Sequence, residues 1–228
     1  MRRGLYLAVP VDVEHPETWT EDPLILADEV WSPCYFTGWT AAQHWHLTDQ
    51  IFRTVVVKTT QRVRSSDETL LDQDYLIGHV PPSALEWGLK AAWIRERRVQ
   101  LADPARTVID VLDEPDLGGG MRHVADILES FMLDRPAPHL LLEYGDRLGN
   151  RTVFKRLGYL LEKLGLGAGE LRAACRSRIS TGISLLDPRA SDRGKRISEW
   201  NLRANVDLVP GNDRDPPRRR ASALAIPN

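Results

Sequence analysis

Tyr35 to Thr60 reads YFTGWTAAQHWHLTDQIFRTVVVKTT, and this stretch decides the fold. Cys34, Tyr35 and Phe36 form a short apolar strand. Thr37 to Leu47 has the pattern of a helix, with Thr37 or Thr40 placed to cap it. Trp39, Ala42 and His46 share one side of that helix, and Ala41 and Trp45 lie beside them, so it is apolar over much of its surface. Thr54, Val55, Val56 and Val57 then follow in succession, a β-branched run that suits a buried strand. A strand, an apolar helix and a second strand make a unit that the rest of the chain must cover. It contains no obvious nucleophile, so it reads as core.

The surrounding composition permits such a core. The chain has 228 residues and is 42% hydrophobic, enough for one large domain or two small ones. With 30 basic and 32 acidic residues the net charge is -2, so bulk charge supplies no attraction for a polyanion, which leaves only a local patch. Cys34 and Cys175 form no CxxC pair, which excludes a zinc ribbon and argues against a disulfide framework. A reducing cytoplasm follows as the expectation. No apolar run reaches the ~20 residues that span a bilayer, and the opening MRRGLYLAVPVDVEH is too short for a secretion signal.

Before the central stretch, Arg2 to Pro10 reads as a strand. Glu17 to Trp31 carries a helix, with Asp22-Pro23 as cap and first position. After it, residues 61–74 read as loop or sheet edge and Asp74 to Val80 as a strand. Ala84 to Gly88 reads as a turn or short helix. Leu89 to Glu96 and Arg98 to Ala102 read as a hairpin. Asp103-Pro104 opens the next helix, with Ala105, Val108, Ile109 and Leu112 as its buried stripe and Arg106 and Asp110 spaced to pair. Pro115 ends it, and Gly118-Gly119-Gly120 reads as a flexible joint and domain boundary. Helices are expected over Met121 to Leu133, Leu140 to Leu148, Arg151 to Leu164 and Gly169 to Ile179. Ser184 to Asp187 and Arg196 to Leu208 read as strands around a turn at Pro188 to Gly194. From Pro210 the tail, which includes Arg218-Arg219-Arg220, has the composition of disorder.

Few constellations carry chemistry. The triple glycine before a helix could cradle a phosphate, but it lacks the spacing and lysine of a P-loop. His44 and His46 would share a face only in a strand. Asp72, Asp74 and Asp110 could serve a metal-dependent nuclease, although no spacing fixes their geometry. Asp103, Arg106 and Asp110 read as cap, pair and helix anchor. Trp31, Trp39 and Trp45 read as core. The helix Arg151 to Leu164 sets Val153, Phe154, Leu157, Leu160, Leu161 and Leu164 on one arc. Arg151, Lys155, Arg156 and Lys163 on the other arc are the candidate contact residues for a partner or nucleic acid, against the simpler reading of a solvated face.

Five segments occur in an order that resembles the AbiEi-type antitoxins of type IV toxin–antitoxin systems in bacterial phage defence. They are Arg3-Gly4-Leu5-Tyr6; Tyr35-x-Thr37-Gly38-Trp39-Thr40-Ala41-Ala42; Leu47-Thr48-Asp49-Gln50; Ala102-Asp103-Pro104-Ala105-Arg106-Thr107-Val108-Ile109-Asp110; and Arg156-Leu157-Gly158-Tyr159-Leu160-Leu161-Glu162. The resemblance spans about residues 2–208, and Trp45-His46 departs from the His-Gly that many members carry there. It implies a protein that neutralises a nucleotidyltransferase-like toxin encoded beside it and that often represses its own operon. The family usually begins with a winged helix-turn-helix. Met1 to Tyr6 looks like the last strand of that wing, so operator binding is in doubt for this chain.

The expectations are therefore a mixed α/β fold: a mixed sheet with packed helices, then a bundle-like helical part and a terminal β-hairpin. The division is 1–117, with 1–10 as the remnant of a wing, then 118–209, then a tail over 210–228. No catalytic residue, cofactor, metal or membrane is expected from the residues, and the resemblance implies a cognate toxin as functional partner. The alternatives are a DNA-binding regulator and a metal-dependent nuclease.

Overall fold

The structure is a computed structural model, and it describes residues 21–134 and 136–208. The readings made on the opening strand, the wing and the tail lie outside the described residues. The first described element, α1 (Pro23–Trp31), starts where the sequence placed its cap. Asp22 Oδ1 accepts from the Leu24 N–H at 2.9 Å, and Pro23 takes the first helical position.

The central stretch folds as β1 (Cys34–Phe36), α2 (Gly38–His44) and β2 (Val55–Thr59). The two strands pair antiparallel, with Phe36 opposite Val57 and Cys34 opposite Thr59. Thr37 takes the N-cap position of α2, but neither predicted threonine caps it with its side chain. Thr37 Oγ1 donates instead to Asp110 Oδ2 at 2.6 Å, and Thr40 Oγ1 accepts from the Val56 N–H at 2.9 Å. Both hydroxyls are drawn into tertiary bonds that no local spacing reveals. Gly38 is needed for two reasons. Its φ is +60°, and a Cβ there would lie 2.4 Å from Leu117 O.

β3 (Asp67–Leu70) and β4 (Gln73–His79) form a hairpin, as do β5 (Leu89–Ile94) and β6 (Arg97–Ala102). The six strands lie in the order β3-β4-β2-β1-β6-β5, with β2–β4 and β1–β6 parallel. All five residues of β2 are buried, because helices cover both faces of the sheet. On one face Trp31 of α1 packs on Tyr75 at 4.9 Å between ring centroids. On the other face Tyr35 and Lys58 meet α3 (Pro104–Asp113) and the Glu114 that follows it.

Every residue of α3 from Pro104 to Leu112 is buried, so this helix has no solvated side. Its apolar residues join Ala42 and Leu47 from the central stretch in one core. The same core takes side chains from α4 (Met121–Asp134), α5 (Pro138–Leu148), α6 (Thr152–Lys163) and α7 (Gly169–Arg176). A second cluster gathers α1 and the large sheet. Packing thus places α3 with the helices that follow the triple glycine. Gly118 closes a 3-10 turn over Pro115–Gly118, and a Cβ there would meet Val124 at 2.7 Å and Val111 at 3.0 Å.

At the C-terminal end the expected pairing changes. Arg196 to Leu208 is not one strand. It divides into β8 (Lys195–Ile197), a 3-10 turn at Ser198–Trp200 and β9 (Leu202–Ala204), because Asn201 takes φ 48°. The hairpin is β8–β9. The earlier strand β7 (Ser184–Leu185) runs parallel to β9, giving a small sheet in the order β7-β9-β8. Trp200, buried in the turn, lies against Gly158 of α6 and donates to Glu162 Oε2 at 2.7 Å.

Candidate functional site: a buried polar knot, a braced loop and a cationic turn

Most of the charged residues that the sequence singled out are used inside the molecule. Arg106 is 1% exposed. Its Nε donates to Asp110 Oδ1 at 2.9 Å, Nη2 to Tyr35 Oη at 2.7 Å, and Nη1 to the Trp87 and Ala84 carbonyls at 2.9 and 3.3 Å. Its guanidinium also lies over the Trp87 ring, 3.3 Å from the centroid. The other Asp110 oxygen accepts from Thr37 and, at 3.4 Å, from Tyr35. Asp103 caps the helix through the Arg106 N–H at 2.8 Å and accepts from Tyr144 Oη at 2.9 Å. The reading of Asp103, Arg106 and Asp110 as cap, pair and anchor therefore matches the geometry. A buried ion pair satisfied at this many positions specifies one arrangement more than it adds net stability. Burial, then the Asp110 carboxylate, holds the Tyr35 phenol well above its ordinary range.

The four cations of α6 do not make one exposed face. Lys155 and Arg156 are 1% and 4% exposed. Lys155 Nζ donates to Gly182 O and to Ser184 Oγ. Arg156 Nη1 donates to Leu112 O at 2.7 Å and Asp113 O at 2.8 Å, and Nη2 to Leu185 O at 3.3 Å. These bonds satisfy the last carbonyls of α3, which have no partner within their own helix. The polar arc of α6 is real, but the small sheet and the end of α3 cover its middle. Burial lowers the pKa of both cations. Arg151 and Lys163, at the two ends, remain exposed, and Arg151 pairs with Asp146 at 3.2 Å.

The other candidates separate. His44 ends α2 while His46 follows with φ 57°, and among the described residues no three His, Cys, Asp or Glu side chains gather as metal ligands. Asp74 accepts from Thr69 Oγ1 at 2.7 Å within the β3–β4 hairpin. At the triple glycine the N–H groups of Gly119 and Gly120 bond to Asp116 O and Pro115 O, and Met121 N–H to Asp187 Oδ2 at 3.1 Å. The start of α4 thus already holds a carboxylate where a phosphate would have to sit. Both cysteines are free and buried. Burial pushes the Cys175 thiol up to about 12, and burial with the Asp28 charge pushes Cys34 higher still, which disfavours the reactive thiolate.

Two exposed features stand on this scaffold; the sequence marks the turn at Pro188 to Gly194 but singles out neither feature as a site. The first is the loop from Thr48 to Thr54. Thr48 Oγ1 meets His123 Nε2 at 2.6 Å, and His123 Nδ1 bonds to Gly118 O. Phe52 stacks on Trp39 at 4.8 Å, and Trp39 Nε1 donates to Thr54 O at 2.5 Å. The loop so braced carries Ile51 at 84% exposure. The second is the turn 188–194 with β8 and β9. It is pinned by Asn205, whose amide donates to Asp187 O at 2.7 Å and Ser191 O at 2.8 Å while accepting from the Asp187 N–H at 3.0 Å. Arg193, Lys195 and Arg196 stand exposed on it. The one available signal in the sequence is the alternation of Asn201, Arg203, Asn205 and Asp207 with Leu202, Ala204, Val206 and Leu208.

Trp31, at 0% exposure, is core, whereas Trp39 and Trp45 are half-buried and donate to the Thr54 and Ala102 carbonyls. Among the described residues no helix is long and apolar enough to cross a membrane.

No family model matches the chain, and no curated protein matches it. Among solved structures it is similar to the crystal structure of the RV2827C protein from Mycobacterium tuberculosis. The identity is 15% and the TM-score 0.58, over 80% of this chain and 68% of that one. At that identity the likeness is one of fold.

Proposed function

We propose that this chain is a non-enzymatic, cytoplasmic antitoxin- and regulator-like protein that neutralises a nucleotidyltransferase-like toxin encoded beside it. The observation that supports this reading is how the segments of the family resemblance interlock. Tyr35 and Thr37 bond to Arg106 and Asp110, and Arg156 closes the end of the same helix. Trp39 and Thr48 brace the exposed loop between α2 and β2. Residues that the resemblance groups in sequence are thus spent on a scaffold that presents surface. Of the carboxylates that the nuclease alternative would draw on, Asp110 accepts hydrogen bonds at both oxygens from buried donors, and Asp74 accepts from Thr69 in a separate hairpin.

Co-expression tests the proposal. The neighbouring nucleotidyltransferase gene should arrest growth alone and be tolerated when this chain is produced with it. Unchanged arrest beside a folded, abundant chain would sink the reading.

A further inference from the structure

The large sheet ends at β5, and among the described residues no strand pairs with the outer edge of β5. On its inner side the Gly88 carbonyl accepts from the Asp103 N–H at 2.8 Å, and the pairing with β6 runs unbroken from Leu89 opposite Ala102 to Ile94 opposite Arg97. By alternation Lys90, Ala92 and Ile94 turn their backbone polar groups inward to β6, while Leu89, Ala91 and Trp93 turn theirs outward. The edge carries none of the usual protections against pairing. It has no proline and no bulge, and its one charged residue is Lys90. The opposite edge, β3, is shorter and opens with Asp67 and Glu68.

A projection and a hollow lie along one face of this edge. Trp93 is 71% exposed. Leu89, Ala91 and Trp93 share a face with Gln100, which lies opposite Ala91, and with Arg98, which lies opposite Trp93. Leu89 and Ala91 also line a recess of about 590 Å³, whose walls include Leu85, Glu86, Trp87 and Asp28. The indole thus stands two residues after Ala91, and the wall formed by residues 85–89 comes before it. Glu86 and Arg98 are both exposed, and neither has an ion pair among the described residues.

We propose that β5 pairs antiparallel with β5 of a second copy of this chain, about a twofold axis through Ala91, so that the two large sheets join into one. Such an axis keeps each face of one sheet on the same face of the other. Only the register centred on Ala91 engages all three outward residues, with Leu89 opposite Trp93 of the other copy and Ala91 opposite Ala91. Centring on Ala92 leaves Leu89 without a partner in the strand. Centring on Lys90 sets Lys90 against Lys90, and like charges directly opposite repel. With the axis at Ala91, Lys90 meets Ala92, and each indole arrives beside Leu89 of the other copy, at its recess. An aromatic ring of this size buries about 150–250 Å². The twofold also brings the end bearing Trp93 and Arg98 in one copy to the end bearing Glu86 in the other, so the unpaired charges that approach are of opposite sign. The edge is complementary to itself in hydrogen bonding, shape and charge, which is why the occupant is a second copy. The proposal does not depend on the antitoxin reading, since its test involves no toxin.

The test is analytical ultracentrifugation of the full chain from about 1 to about 300 μM, the range in which a small interface associates. The mass should rise from 25.8 kDa towards that of two chains. Trp93→Ala should weaken the association at least about tenfold. A second measurement reads the register directly. Residues on the axis lie about 5.5 Å apart at Cα in a hydrogen-bonded antiparallel pair, within reach of a disulfide. Ala91→Cys should therefore give a disulfide-linked dimer under mild oxidation, because Cys34 and Cys175 are buried and contribute no background. Asp67→Cys, on the other edge of the sheet, should stay monomeric under the same oxidation. Circular dichroism checks each fold, and Ala91→Cys decides alone if Trp93→Ala unfolds. A full chain that is monomeric at every concentration overturns the proposal, whatever else then covers the edge. So does a dimer as tight in Trp93→Ala as in the parent, or one that Asp67→Cys captures and Ala91→Cys does not.

Discussion

Tyr144 shows how one side chain can couple helix capping to pH. Its hydroxyl donates to Asp103 Oδ2, the cap of α3. Burial first, and then the Asp103 charge and hydrogen bond, push its pKa up to about 12. In the unfolded chain the phenol ionises near 10. Between those values the native state holds a proton that the unfolded state has released. Its contribution is therefore intact below about pH 10 and is lost as pH rises towards 12. Chemical denaturation of Tyr144→Phe across this window should show a shallower alkaline decline, by about 1 kcal/mol once solvent screening is counted. Tyr35, Tyr75 and Tyr159 are shifted the same way and keep part of the slope. Equal slopes in parent and variant would remove Tyr144 from the account.

At the scale of elements, the contact between α6 and the small sheet depends on a missing side chain. A Cβ on Gly158 would lie 2.0 Å from Trp200 Cζ3, and the indole is fixed at its other end by Glu162. Gly158→Ala should therefore destabilise the protein by about 1–3 kcal/mol, measured by urea unfolding, although alanine favours a helix in isolation. Trp200→Leu added to Gly158→Ala should recover part of that loss, because the clash and the tryptophan are coupled. A neutral or stabilising Gly158→Ala would mean that the helix and the turn slide apart easily. Elements themselves were legible where a local cap or period fixed them. Asp22-Pro23 and Asp103-Pro104 each open a helix, and Leu89 to Ala102 folds as the predicted hairpin. The single strand expected over Arg196 to Leu208 failed because alternation survives a turn that Asn201 makes in the left-handed region.

Across the whole molecule, α3 joins the two halves. The sequence drew a boundary after residue 117, yet Val108, Ile109, Val111 and Leu112 share a core with Leu128, Phe131, Leu157 and Leu160. A chain ending at residue 117 would expose that side of α3 to water, at about 25 cal/mol for each Å² of apolar surface left uncovered. The expected result is a fragment without cooperative unfolding, while the full chain loses its near- and far-ultraviolet signals in one coincident transition. A stable 1–117 fragment, or two separate transitions, would support a boundary at the glycines.

The sequence by itself determined the strand–helix–strand centre, both Asp-Pro helix starts, the β5–β6 hairpin and the roles of Asp103, Arg106 and Asp110. Each of these is written in residues within a few positions of one another, where propensity, capping and periodicity act. The tertiary structure alone decided that Lys155 and Arg156 lie inside, that the Thr37 hydroxyl serves Asp110 and not its own helix, and that exposed cations stand on the small sheet. An amphipathic period shows that a helix has a polar side. Whether that side meets water or the unsatisfied carbonyls of another helix depends on which element packs there, and that is settled by contacts between residues far apart in the chain.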